Sequence, residues 1–212
     1  MQHITSEEKR IRLQRLYEAE RSRLAAFAPE AAFEGAFLSP VFGEGPAGAG
    51  VVLIGEAPGG EETAAGRPFV GKAGKQLNEL LALAGLDRES LYVTNTVKYR
   101  PFVSSAKSVR NRPPRKEEVA AALPLLKQEL NVLSPAFVFT LGNVPLSAVL
   151  TLCGEPVRTV GACHGKEMPL QADGTAFTLL PLYHPASVIY NPSLKDTLRQ
   201  DLCFAGQCVR KL

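Results

Sequence analysis

The chain has 212 residues, 45% hydrophobic and 21% charged, with a formal net charge of +3. That length suits one α/β domain with a sizeable core over residues 1–212, and the composition lies outside the disordered range. No apolar run approaches the ~20 residues that span a bilayer, and the opening "MQHITSEEKRIRLQRL" carries charges where a secretory leader needs its apolar stretch. A cytoplasmic monomer without a membrane partner is therefore expected.

Residues 6–27 read as a charged helix, with Thr5 and Glu8 spaced as a capping box and Pro29 just beyond its end. Together with an irregular stretch rich in Ala, Gly and Pro, this helix makes residues 1–40 an N-terminal appendage. "VVLIG" (51–55) is a short apolar run ending in Gly, the pattern of a strand buried on both faces. In "KQLNELLALAG", Leu77, Leu80, Leu81 and Ala84 fall at helical spacing and Gly85 stands at the C-cap. "LYVTN" (91–95) is a second strand. A helix is expected from Glu117 to Leu133, with Pro124 implying a kink or a late start. "AFVFTLG" (136–142) is a third strand, "NVPLSAVLTL" a helix, "FTLLPLY" (177–183) a fourth strand, and "SLKDTLRQDLCFAGQ" a closing helix.

Strands alternating with helices imply a parallel sheet covered on both faces, with the ligand site beyond the carboxyl ends of the strands. Four loops begin there: "GEAPGGEE", "NTVKYRP", "GNVP" and "YHPASVIYNP". Beside them, residues 98–116 carry seven Lys or Arg and no acid. Such a run is either a solvated loop or a nucleic-acid contact. The four cysteines, Cys153, Cys163, Cys203 and Cys208, form no C-x-x-C pair and are read as reduced, partly buried residues.

"GRPFVGKAGK" (66–75) has the G-x-x-x-x-G-K spacing of a phosphate loop but Ala73 in place of Ser or Thr. Ala73 cannot hold Mg²⁺, Pro68 removes a backbone donor, and the preceding strand ends too early to feed the loop directly. With the nucleotide reading set aside, Phe69 is left as an unexplained aromatic in a loop.

The strand ends carry the other candidates. Glu56 follows an apolar strand directly, so its carboxylate should be partly shielded and able to stabilise a cation or orient a water. Asn95 is either a turn cap or a donor–acceptor pair able to read the edge of an amide-like ring. Of the three histidines, His184 alone sits at an expected strand end; His3 is in the tail and His164 in an expected hairpin. A carboxylate, an amide, an imidazole and an aromatic beside a basic loop describe a pocket for a nucleobase within nucleic acid.

"GEAPGGEE", "RPFVGKAGKQL", "TNTVKYRP" and "YHPASVIYNPSLK", in that order, resemble the motifs of the uracil-DNA glycosylase superfamily, most nearly its family 4, over about residues 40–203. The resemblance implies a three-layer α/β/α sandwich around a four-stranded parallel sheet, and an enzyme that flips uracil out of single- or double-stranded DNA and hydrolyses its glycosidic bond. It implies that Phe69 stacks on the base, Asn95 bonds its O4 and N3 edge, His184 stabilises charge on O2, Glu56 supports the sugar cation or the water, and Glu62 refuses the methyl group of thymine. Gly55, Ala57, Pro58 and Gly59 would complete the substrate pocket. Lys98, Arg100, Arg110 and Arg112 would contact DNA, with Pro185, Ala186, Ser187 and Val188 forming the wedge that keeps the base extruded.

Members of that family hold an iron–sulfur cluster on cysteines: two upstream of the first strand, one after the Lys of a Lys-Cys-Arg-Pro motif, one in the following helix. Here Tyr99 and Ala122 stand at the last two positions and residues 25–40 contain no cysteine. No metal and no cofactor are therefore expected, with apolar packing of Phe33, Phe37 and Leu38 in the cluster's place. "FVSSAKSVRN" looks inserted in the basic loop, and Ala57 stands where another branch has a water-activating Asp. Two alternatives stay open: a glycosylase for hypoxanthine or xanthine, and a DNA-binding relative without turnover.

Overall fold

The computed structural model describes residues 4–27, 39–105 and 108–211. The chain begins with α1 (Ser6–Phe27), whose capping box forms as expected. The Thr5 amide donates to Glu8 Oε2 at 2.7 Å, and the Glu8 amide donates to Thr5 Oγ1 at 3.2 Å. The packing expected of Phe33, Phe37 and Leu38 lies outside the described residues.

β1 (Val51–Gly55) is followed by two helices, α2 (Gly60–Ala65) and α3 (Lys72–Leu83), and then β2 (Tyr92–Asn95). β3 (Phe102–Ser105) and β4 (Ser108–Asn111) make a separate antiparallel hairpin. Next come α4 (Lys116–Leu133), β5 (Phe137–Leu141), α5 (Asn143–Leu152) and the short α6 (Val160–Cys163). β6 (Met168–Ala172), β7 (Thr175–Leu182), α7 (Ser187–Tyr190) and α8 (Leu194–Val209) complete the chain. α4 runs through Pro124 with no late start.

The sheet order is β2-β1-β5-β7-β6. It has five strands rather than the expected four: β1, β2, β5 and β7 are mutually parallel, and β6 adds an antiparallel edge against β7. Pro169 hides β6 in the sequence, since a proline disrupts a strand pattern and is tolerated only where a ladder bond is not needed, as at an edge.

β1 and β5 are buried along their whole lengths. Val52 and Ile54 face a core built with Leu126, Leu130 and Leu133 of α4 and Leu146 and Val149 of α5. Val51 and Leu53 face the opposite core, with Leu77 and Leu81 of α3 and Leu198 and Leu202 of α8. Alternate residues of one strand thus bury themselves in two helix layers, each fully buried Leu or Ile contributing about 1.5–3 kcal/mol. α1 docks on α4, where Lys9 Nζ donates to the carbonyl of Leu133 at 2.6 Å and satisfies an end group of that helix. Among the described residues, no helix is long and apolar enough to cross a membrane.

Candidate active site

Because β1, β2, β5 and β7 are parallel, their carboxyl ends lie along one rim of the sheet. The registers put Gly55 beside Asn95 and Leu141 beside Leu182. At this rim a cleft of about 480 Å³ is walled by Phe69, Asn95, His184, Glu62, Asn111 and their neighbours. The candidates that are far apart in sequence therefore meet. Among the substrate-pocket candidates, Ala57, Gly59, Glu62, Phe69 and Asn95 line the cleft, whereas Gly55 and Pro58 do not; of the wedge residues, Ala186 reaches it. Glu61 also lines it, although the sequence offered no reason to single it out.

Phe69 is held in an unusual backbone conformation. Its φ is +56°, the left-handed region that non-glycine residues seldom enter, and it is nonetheless buried. Two glycines make this possible. A Cβ on Gly74 of α3 would collide with the Phe69 backbone, and one on Gly55 would collide with both the Phe69 ring and Asn95 Oδ1. Gly55 thus leaves room for the aromatic and the amide to sit side by side. Glu62 ties the loop down from the other end: its carboxylate accepts from the Gly59 amide at 3.1 Å and the Gly71 amide at 2.8 Å, bridging the starts of α2 and α3.

His184 follows β7, its ring centroid 6.5 Å from that of Phe69. Its Nδ1 accepts the Ala186 amide at 3.1 Å, which leaves the proton of the neutral ring on Nε2. Its carbonyl accepts from Ser187 N at 2.9 Å and Ser187 Oγ at 2.6 Å, so the turn is fixed from both sides. Burial depresses the imidazole pKa below its ordinary 6.5 and keeps the ring neutral. A neutral imidazole with a fixed Nε2–H is suited to donate to an oxygen that gains negative charge. Glu56 lies at the end of β1, half-buried, and burial raises its pKa above the ordinary 4.5. It is not among the residues that wall the cleft.

The basic loop divides into residues of different kinds. Lys98 does not face solvent: it is 2% exposed, and its ammonium donates to Glu129 Oε2 at 2.5 Å. This corrects its expected role as a DNA contact, since an ammonium so enclosed cannot reach a phosphate. Residue type and spacing give no sign that Glu129, on the buried face of α4, is its partner. Arg112 is bound in two places to Glu118, at 2.6 and 2.8 Å. Arg100 donates to Asn111 Oδ1 at 2.7 Å and lies 5.8 Å from the Phe102 ring. Arg110 is exposed on β4.

"FVSSAKSVRN" supplies the β3–β4 hairpin, in which Phe102 pairs with Asn111. The return strand carries Asn111 back to the cleft wall, a placement that the basic loop's sequence does not reveal when the stretch is taken as an insertion without strands. The signal available was its β-branched and aromatic content on both sides of a short turn.

The positions at which an iron–sulfur cluster would be held do not fit one. Tyr99 and Ala122 pack together with Leu24 and Val97 in a small apolar cluster, and neither offers a thiolate. Cys153, Cys163 and Cys208 lie elsewhere, on or beside α5, α6 and α8, and burial raises the pKa of each, that of Cys153 to about 11. No group of three or more His, Cys, Asp or Glu among the described residues could hold a metal ion.

A family model for the uracil DNA glycosylase superfamily matches residues 42–204. The chain is 39% identical over 160 residues to a type-4 uracil-DNA glycosylase of Pyrobaculum aerophilum, covering 76% of this chain and 78% of that one. A type-4 uracil-DNA glycosylase of Archaeoglobus fulgidus is 35% identical over 80% of this chain and 81% of its own. One of Thermotoga maritima is 33% identical over 81% and 83%.

Proposed function

The chain belongs to the uracil DNA glycosylase superfamily, and on that footing we propose that it is a DNA repair enzyme that excises uracil, hydrolysing the N-glycosidic bond to leave an abasic site. One observation carries the reading: Phe69, Asn95 and His184, brought from three separate segments of the chain, wall a single cleft. A uracil extruded from DNA stacks on Phe69 and presents its O4 and N3 edge to the Asn95 amide, which has one acceptor and one donor to match. Stacking contributes about 1–3 kcal/mol against the few kcal/mol that unstacking costs.

As the bond between the sugar and the base breaks, its electron pair leaves with uracil and charge gathers on O2. His184 Nε2–H donates to that oxygen, an interaction worth on the order of 10²–10³ in rate. The deoxyribose becomes cation-like, and the Glu56 carboxylate stabilises it or orients the water that completes hydrolysis. Glu62 fixes the wall against which the extra methyl of thymine would press. Arg100 and Arg110 meet the DNA backbone, and the segment from Pro185 to Val188 acts as the wedge. The apolar packing of Tyr99 and Ala122 supports a protein that works without an iron–sulfur cluster.

Oligonucleotides bearing one uracil, single- and double-stranded, followed by alkaline cleavage, test the assignment. Wild type yields abasic product and His184→Ala loses roughly 10²–10³ in rate; no product from wild type on any uracil substrate would refute the activity. Substrates carrying hypoxanthine or xanthine should be cut far more slowly. Purified protein should carry no stoichiometric iron and no broad visible absorption band.

A further inference from the structure

The sequence gives Lys98 the look of a surface cation, and its burial raises the question of what a charge is doing there. Its ammonium has three N–H donors and three acceptors: Glu129 Oε2 at 2.5 Å, Thr94 Oγ1 at 2.7 Å and the main-chain carbonyl of Asn95 at 2.6 Å. Two of the three belong to the last two residues of β2. Glu129, fully buried on α4, is held in turn: Tyr17 OH donates to its Oε1 at 2.6 Å, and Thr94 Oγ1 donates to the same oxygen at 3.3 Å. Tyr92 OH then donates to Tyr17 OH at 2.5 Å.

A closed polar network thus joins α1, α4 and β2, and it terminates on the backbone of the residue whose side chain lines the cleft. The two residues that follow Asn95 are fixed from the side of β1. Thr96 N and Oγ1 donate to the Gly55 carbonyl at 2.9 and 3.0 Å, and Val97 N donates to the Glu56 carbonyl at 3.1 Å.

We propose that Lys98, paired with Glu129, is a positioning residue for Asn95: it clamps the carbonyl at the end of β2 so that the amide is presented to the base at a fixed height and angle. The inference rests on the glycosylase reading above. Two considerations favour positioning over support of the fold. Buried ion pairs are poor sources of stability, because apolar residues of similar volume often serve as well or better. A site group, by contrast, must be held within about 0.5 Å of its productive geometry.

The test is a double-mutant cycle on uracil-DNA excision, because a merely structural role would not couple to Asn95. Lys98→Met/Glu129→Leu removes both charges while keeping volume, and is compared with Asn95→Ala and with the triple variant, folding being followed by thermal melts. The double variant is expected to lose roughly tenfold to hundredfold in kcat/KM, the scale of a misplacement of about 1 Å. In that background Asn95→Ala should cost far less than it does in wild type. Full activity of the double variant, or strictly additive losses, would overturn the proposal. If the double variant does not fold, Glu129→Gln replaces it, with the same expectation of non-additivity with Asn95→Ala and the same refutation by additivity. A wild type inactive on uracil would overturn the glycosylase reading and this inference with it, whereas an active wild type with additive losses overturns this inference alone.

Discussion

Glu56 and His184 are displaced by burial in opposite directions, and each displacement has a consequence for pH. The Glu56 pKa is raised above 4.5, so the native state holds that proton to higher pH than the unfolded chain does. The group therefore destabilises the fold as pH rises from 4.5 through the native pKa, and the cost persists at neutral pH. Glu56→Gln removes the cost, so at pH 7 it should raise Tm in a thermal melt while lowering kcat. The His184 pKa is lowered from 6.5, so the unfolded chain takes up that proton first, and this group erodes stability as pH falls below 6.5. Activity that needs an ionised Glu56 and a neutral His184 should fall on an acid limb displaced above 4.5, the ordinary carboxylate value, in a profile of kcat/KM. A limb centred at or below 4.5 would contradict the role given to Glu56.

The elements that matter most are short. The segment joining α2 to α3 matches a phosphate loop in spacing, yet its glycines serve an aromatic: Gly74 lets the Phe69 backbone lie against α3, and Gly55 leaves space for the Phe69 ring. Gly55→Ala should therefore be more harmful than an added methyl suggests, lowering kcat/KM by roughly 10² through displacement of Phe69 and Asn95 together. Steady-state kinetics on a uracil oligonucleotide checks this, and near-wild-type activity would count against the account of the cleft. The β3–β4 hairpin carries an exposed Arg110 and returns Asn111 to the cleft. Arg110→Ala should weaken DNA binding evenly across sequences and reduce the salt slope of log K by about 1, measured by titration at several salt concentrations.

At the scale of the whole molecule, the sheet carries its site along one rim, and α1 and α4 reach that rim through the Lys98 and Glu129 pair. Lys98→Met alone leaves the Glu129 carboxylate buried and unpaired, and should cost about 3–5 kcal/mol in chemical denaturation, with the added Glu129→Leu recovering much of it. Local signals located α1 by its capping box, and β1, the other parallel strands and the closing helix by their apolar patterns, which follow from which face each element must bury. The strand ends also marked Glu56, Asn95 and His184, since a loop after a buried strand has one place to go in a parallel sheet. Those properties the sequence determined by itself. The tertiary structure alone decided the fate of Lys98, whose charge reads as surface until Glu129 is brought beside it from 31 positions away, and the return of Asn111 to the cleft on a hairpin. It also decided the antiparallel edge strand and the tautomer of His184. In each case the deciding partner is distant in sequence or is a backbone group, and neither residue type nor spacing encodes who that partner will be.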